Sequence, residues 1–125
     1  MKSTLLKTLI CYFFFTFCIN SLKVKAGTIT VSTVTALQSA INTSTAGTVI
    51  LISSNTYTNA SVTVSKSNIT IKAATSGSVI FNGSSSFTIS GSNNVLAGFQ
   101  FKGGDVGAGN IIEINGNSNT ITNCN

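Results

Sequence analysis

Val62-Thr63-Val64, Phe87-Thr88-Ile89 and Ile112-Glu113-Ile114 begin 25 residues apart. Each is a short run of β-branched or aromatic residues on either side of one polar residue. An Asn-led strand follows each of them: Asn68-Ile69-Thr70-Ile71, Asn94-Val95-Leu96-Ala97 and Asn119-Thr120-Ile121-Thr122, at spacings of 26 and 25. A fixed period of this size marks a repeat architecture. Several short strands per period, with no helix between them, predict an all-β fold: a right-handed single-stranded parallel β-helix, or solenoid.

The chemistry of the repeat agrees. Equivalent strands of successive coils stack in parallel at about 4.8 Å, and alternate side chains point inward. Val62, Val64, Phe87, Ile89, Ile112 and Ile114 are expected to form inward columns, with Thr63, Thr88 and Glu113 outside. Asn68, Asn94 and Asn119 are expected to stack as a structural ladder at one corner, where Asn tolerates a tight turn. Further strand-like runs, Val49-Ile50-Leu51-Ile52, Val79-Ile80-Phe81 and Phe99-Gln100-Phe101, are bounded by Gly, Asn and Ser clusters, and the chain has no proline.

A solenoid needs a lid, because its first coil otherwise exposes core and a strand edge. Thr35-Ala36-Leu37-Gln38-Ser39-Ala40-Ile41 predicts a short N-terminal capping helix. Thr35 and Gln38 have the capping-box spacing, and Leu37 and Ile41 share a face. The other end carries no comparable lid, and the chain is expected to be truncated C-terminally, in mid-coil at Asn125.

Residues 1–26 read as a signal peptide. Lys2 and Lys7 precede an apolar run, Leu9 to Ile19, and Val24-Lys25-Ala26 fits a cleavage site. The run is short for a bilayer span, which takes about 20 residues. The expected products are a β-helix domain over residues 27–125, a secreted or (in a bacterium) periplasmic location, and no membrane association after cleavage.

Charge and cysteine usage narrow the function. Of seven Lys and no Arg, four Lys lie in the signal segment. Lys66, Lys72 and Lys102 against Asp105 and Glu113 leave +1, so no basic patch supports nucleic-acid binding. Cys124 is the one cysteine outside the signal segment, and its expected role is that of a small hydrophobe. No histidine is present to activate a thiol. A monomer is expected.

Taken in order, these pieces resemble the N-terminal cap and first coils of the alginate lyase and chondroitinase B family of polysaccharide lyases. The resemblance runs through Leu37-Gln38-Ser39-Ala40-Ile41, Gly47-Thr48-Val49-Ile50-Leu51 and Tyr57. It continues through Ile69-Thr70-Ile71-Lys72-Ala73, Gly77-Ser78-Val79-Ile80-Phe81-Asn82-Gly83 and Phe87-Thr88-Ile89-Ser90-Gly91. Val95-Leu96-Ala97-Gly98-Phe99-Gln100-Phe101 and Ile121-Thr122-Asn123-Cys124 complete it. It implies a pectate-lyase-like β-helix in a secreted enzyme that cuts an anionic, uronic-acid polysaccharide (alginate, or dermatan or chondroitin sulfate) by β-elimination. Calcium as cofactor and a Lys/Arg pair on later coils are implied with it.

β-Elimination needs a group that neutralises the uronate carboxylate, a base for the adjacent proton and an acid for the leaving oxygen. No catalytic residue is expected in this chain, and no metal ligands. Tyr57 reads as packing, and Lys66 and Lys72 as solvated charges. Glu113, on an outward strand face, is the leading substrate-groove candidate. Lys102 and Asp105 join it as candidates because they lie at the Gly-rich loop just before it, Gly103-Gly104-Asp105-Val106-Gly107-Ala108-Gly109. That loop is either a surface insertion or one wall of a groove. Two other classes of function compete with the lyase. One is a structural or adhesive surface solenoid without chemistry. The other is a surface-binding solenoid using Thr28-Ile29-Thr30, Thr33-Val34-Thr35, Thr56-Tyr57-Thr58 and Thr120-Ile121-Thr122; their irregular spacing predicts that they do not share one face.

Overall fold

The computed structural model describes residues 26–104, 106, 107 and 109–125. Asp105 and all but the last residue of the expected signal segment lie outside the described residues. Eleven short strands and one helix follow in chain order: β1 (Thr28–Val31), α1 (Val34–Thr43), β2 (Val49–Ile52), β3 (Asn55–Thr58), β4 (Ser61–Val64), β5 (Thr70–Ala73), β6 (Val79–Asn82), β7 (Ser86–Ile89), β8 (Val95–Ala97), β9 (Phe99–Lys102), β10 (Ile112–Ile114) and β11 (Thr120–Thr122).

The strands form three parallel sheets, which are the faces of a β-helix. Sheet A runs β1-β2-β5-β8-β11, sheet B runs β3-β6-β9 and sheet C runs β4-β7-β10. Successive strands of one sheet come from successive coils. Sheet C keeps the register expected from the repeat: Val62 pairs with Phe87 and Phe87 with Ile112, while Thr88 pairs with Glu113.

The 25-residue period holds in sheet C and from β5 through β8 to β11, although its parts vary. Between β5 and β8 the three turns hold five, three and five residues. Between β8 and β11 they hold one, nine and five. The β8–β9 corner has shrunk to Gly98, and the residues released there form the Gly-rich loop at 103–111. Gly98 has φ +80, a conformation that strains any residue with a Cβ.

The core is apolar and aromatic. Tyr57, Phe81 and Phe101 stack down sheet B, with ring centroids 5.5 and 5.8 Å apart. Phe87 meets Phe81 edge-on from sheet C at 4.8 Å, the favoured arrangement of two ring quadrupoles. The Tyr57 hydroxyl donates to Ser53 O, so the one polar group of the stack is satisfied. The inward columns end differently from the expectation. Ile114 stacks on Ile89 and Ile121 on Leu96, but they are 46% and 37% exposed because no described strand lies beyond them.

Helix α1 caps the first coil and packs mainly on β4. Leu37 and Ile41 are buried, as their spacing predicts. The N-cap is Thr33, not Thr35: its Oγ1 accepts from the Ala36 N–H at 3.1 Å. Gln38 is therefore not used for capping. Its amide turns to the edge of β4 instead.

The Asn ladder is corrected by one residue. Each turn leading into sheet A holds five residues. The fourth is Gly47, Asn68, Asn93 or Ser118, all with positive φ. The fifth is Thr48, Ile69, Asn94 or Asn119, as the register of the following strands requires. Asn94 and Asn119 stack; Asn68 belongs to the left-handed column beside them. Asn94 Oδ1 accepts from the Ile69 N–H, and its Nδ2 donates to Lys66 O. Asn119 makes the same two bonds to Asn94 and Gly91.

The four threonine runs do not share one face, as expected: Thr33-Val34-Thr35 starts α1 and Thr56-Tyr57-Thr58 lies on sheet B, while the other two lie on sheet A. Thr28, Thr70 and Thr120 fall in one column of sheet A, and Thr30 and Thr122 in the next. The steps along this sheet are 21, 21, 25 and 25 residues, so the runs on it do not fall at one sequence period. Val49, Val95, Leu51, Lys72 and Ala97 interrupt the columns, so the face is not a continuous threonine array.

Candidate functional site

The outer face of sheet C carries a polar groove. Its floor is Ser86 and Thr88 on β7 and Glu113 on β10, with Ser84 at one end. Val106, Gly107, Gly109 and Asn110 form the wall, and the groove encloses about 460 Å³. Strand alternation explains the floor: Phe87 and Ile89 point into the core, so Ser86 and Thr88 point out. The enlarged β9–β10 loop explains the wall. It closes a turn through the Gly109 N–H bond to Val106 O and returns beside the sheet face.

The sequence candidates fare differently. Glu113 lies in the groove, opposite Thr88, and its Oε1 accepts from Asn115 Nδ2 at 3.3 Å. Lys102 ends β9 as an exposed residue and does not line the groove. Asp105 lies outside the described residues. Ser84, Ser86 and Asn110 were not singled out from sequence. Ser86 was legible by extending the period-two alternation one step back from Phe87. Nothing in the sequence marks Asn110.

Tyr57 is held in the core, and burial raises its phenol above the usual value of 10.0. It packs between coils and is not presented to the groove. Lys72 projects from the exposed face of sheet A, and Lys66 from a corner turn.

Among the described residues, the groove lining offers hydroxyls, an amide and one carboxylate, and no cationic side chain. Calcium does not fit this set. It takes six to eight oxygens, several of them carboxylates, and no group of three or more metal-binding side chains exists among the described residues. Among the described residues no helix is long and apolar enough to cross a membrane.

The described chain is a capped, three-faced parallel β-helix. The chondroitinase B family model matches residues 31–125. The chain belongs to this family. Two solved structures share its fold. A PL6 family alginate lyase, AlyGC, is 24% identical with a TM-score of 0.64 over 68% of this chain. A PL6 alginate lyase in complex with a trisaccharide is 22% identical with a TM-score of 0.62 over 79% of it. The chain spans 12% of the first and 22% of the second. No curated protein matches the sequence significantly.

Proposed function

We propose that this chain is the N-terminal run of coils of a secreted polysaccharide lyase that cleaves a uronic-acid polysaccharide by β-elimination. The observation that carries the reading is the family match over residues 31–125, on a β-helix of the same fold as two PL6 alginate lyases. The short span of those relatives covered here supports placing the catalytic Lys/Arg pair and any calcium site on coils beyond Asn125. The described residues hold no such set, so the 125-residue chain alone is expected to be inactive.

The test is a lyase assay on two proteins. One is the 125-residue chain; the other is the product of the open reading frame continued past the Asn125 codon. Alginate and dermatan sulfate are the substrates, and the ultraviolet absorbance of unsaturated uronate is the readout. Absorbance rising only with the longer protein is the expected result. A longer product without activity on any uronic-acid polysaccharide contradicts the lyase reading.

A further inference from the structure

We propose that the groove over sheet C binds the hydroxyl edge of a sugar ring and turns away the ring's carboxylate. The proposal rests on the polysaccharide reading and names what one part of that surface recognises.

The lining carries the inference. Ser84, Ser86 and Thr88 each supply a hydroxyl that can both donate and accept. Asn110 adds a carboxamide with the same double capacity. Ionised Glu113 is an acceptor only, with two oxygens that can receive neighbouring sugar hydroxyls. Val106 gives the wall an apolar patch for the C–H face of a pyranose. The volume of about 460 Å³ lies within the roughly 300–1,000 Å³ of ordinary small-molecule sites.

The same lining is wrong for an anion. A uronate carboxylate entering here meets Glu113 and no cation, since Lys102 stays outside the lining. Juxtaposed like charges disfavour that pose, and a desolvated anion without a partner is costly. A neutral sugar has no such penalty; a uronate ring avoids it only in the poses that keep its carboxylate in solvent, and so loses the others.

The floor is also well placed to hold its geometry. The Ser86 N–H is tied to Ala60 O at 2.7 Å, and Thr88 and Glu113 are register partners in one parallel sheet. Sites built on paired strands are more precise than sites on loops alone.

The experiment is a titration of the 125-residue chain, followed by amide NMR shifts, with two probes. One is a native alginate trisaccharide; the other is the same trisaccharide with its carboxylates reduced to alcohols. The reduced probe should shift the amides of Ser86, Thr88 and Glu113 and bind about tenfold more tightly than the native one, the scale of one charge-assisted hydrogen bond. Glu113→Gln should weaken the reduced probe and strengthen the native one; Thr88→Ala should weaken the reduced probe. Tighter binding of the native probe, equal loss of both probes in Glu113→Gln, or shifts confined to other faces would overturn the proposal. The lyase assay fails separately. Groove shifts without unsaturated uronate from the longer protein leave this inference standing and remove the lyase reading. Unsaturated uronate with silent groove amides removes this inference alone.

Discussion

Gln38 and Thr63 pair as though Gln38 were a strand. Gln38 Nε2 donates to Thr63 O at 2.9 Å, and Gln38 Oε1 accepts from the Thr63 N–H at 2.9 Å. β4 is the first strand of sheet C, and Thr63 would otherwise turn two unpaired backbone groups toward solvent. One carboxamide on a capping helix supplies both missing ladder bonds. The helix thus covers the core with Leu37 and Ile41 and satisfies part of the strand edge with Gln38.

Replacing Gln38 by Ala should lower stability by about 1–2 kcal/mol, the net value of two partly exposed hydrogen bonds. For a domain of this size each kcal/mol corresponds to about 4–8 °C in Tm. Thermal unfolding checks it. Gln38→Glu should be nearly as damaging, because the carboxylate cannot donate to Thr63 O.

Asn94 and Asn68 should respond in opposite ways. Asn94→Ala leaves the buried Ile69 N–H and the Lys66 carbonyl without their partner, at about 1–3 kcal/mol for each group left unsatisfied. Asn68 is exposed at φ +60, where glycine is unstrained, so Asn68→Gly should change stability by less than about 1 kcal/mol. Urea unfolding of the two variants separates a ladder residue from a turn residue.

Gly91 should not tolerate alanine. A Cβ there would overlap Lys66 O of the coil below, a backbone atom held in its own turn. Such overpacking costs about 1–3 kcal/mol or more. Gly107, with open space around its Cβ position, is a useful contrast, although its φ of +61 still favours glycine. Gly91→Ala is expected to melt well below Gly107→Ala.

Tyr57 sets an alkaline limit. Its phenol is raised in the folded state by burial, while the unfolded chain ionises at the ordinary value of 10.0. The stability contributed by the neutral, hydrogen-bonded phenol is fully present below that pH. It is lost as pH rises from there through the folded value, because only the unfolded state releases the proton. Tyr57→Phe should abolish this part of the alkaline decline in Tm, at the cost of the bond to Ser53 O.

The period was legible because the residues that set it are interior. The column of Phe87 takes apolar side chains, so Val62, Phe87 and Ile112 keep the register in plain view. The ladder was misread by one residue at Asn68 because the turn offers two adjacent positions that suit Asn for different reasons. One needs a left-handed backbone, and the other needs a side chain that reaches the preceding coil. The 26-residue step from Asn68 to Asn94, against 25 from Asn94 to Asn119, recorded the slip. The groove was half legible. Glu113 stood out as a charge on a strand, but the wall depends on how residues are shared between two corners of one coil. No local pattern encodes that trade.

The most direct test of the lyase account is the rate of unsaturated uronate formation by the protein encoded when the reading frame is followed past Asn125. The account predicts a steady rise in absorbance on alginate or dermatan sulfate, with none from the 125-residue chain. Turnover by the 125-residue chain itself would show that the catalytic groups lie among residues assigned here to packing and solvent. No turnover by the longer protein on either substrate or any other uronic-acid polysaccharide would contradict the account outright.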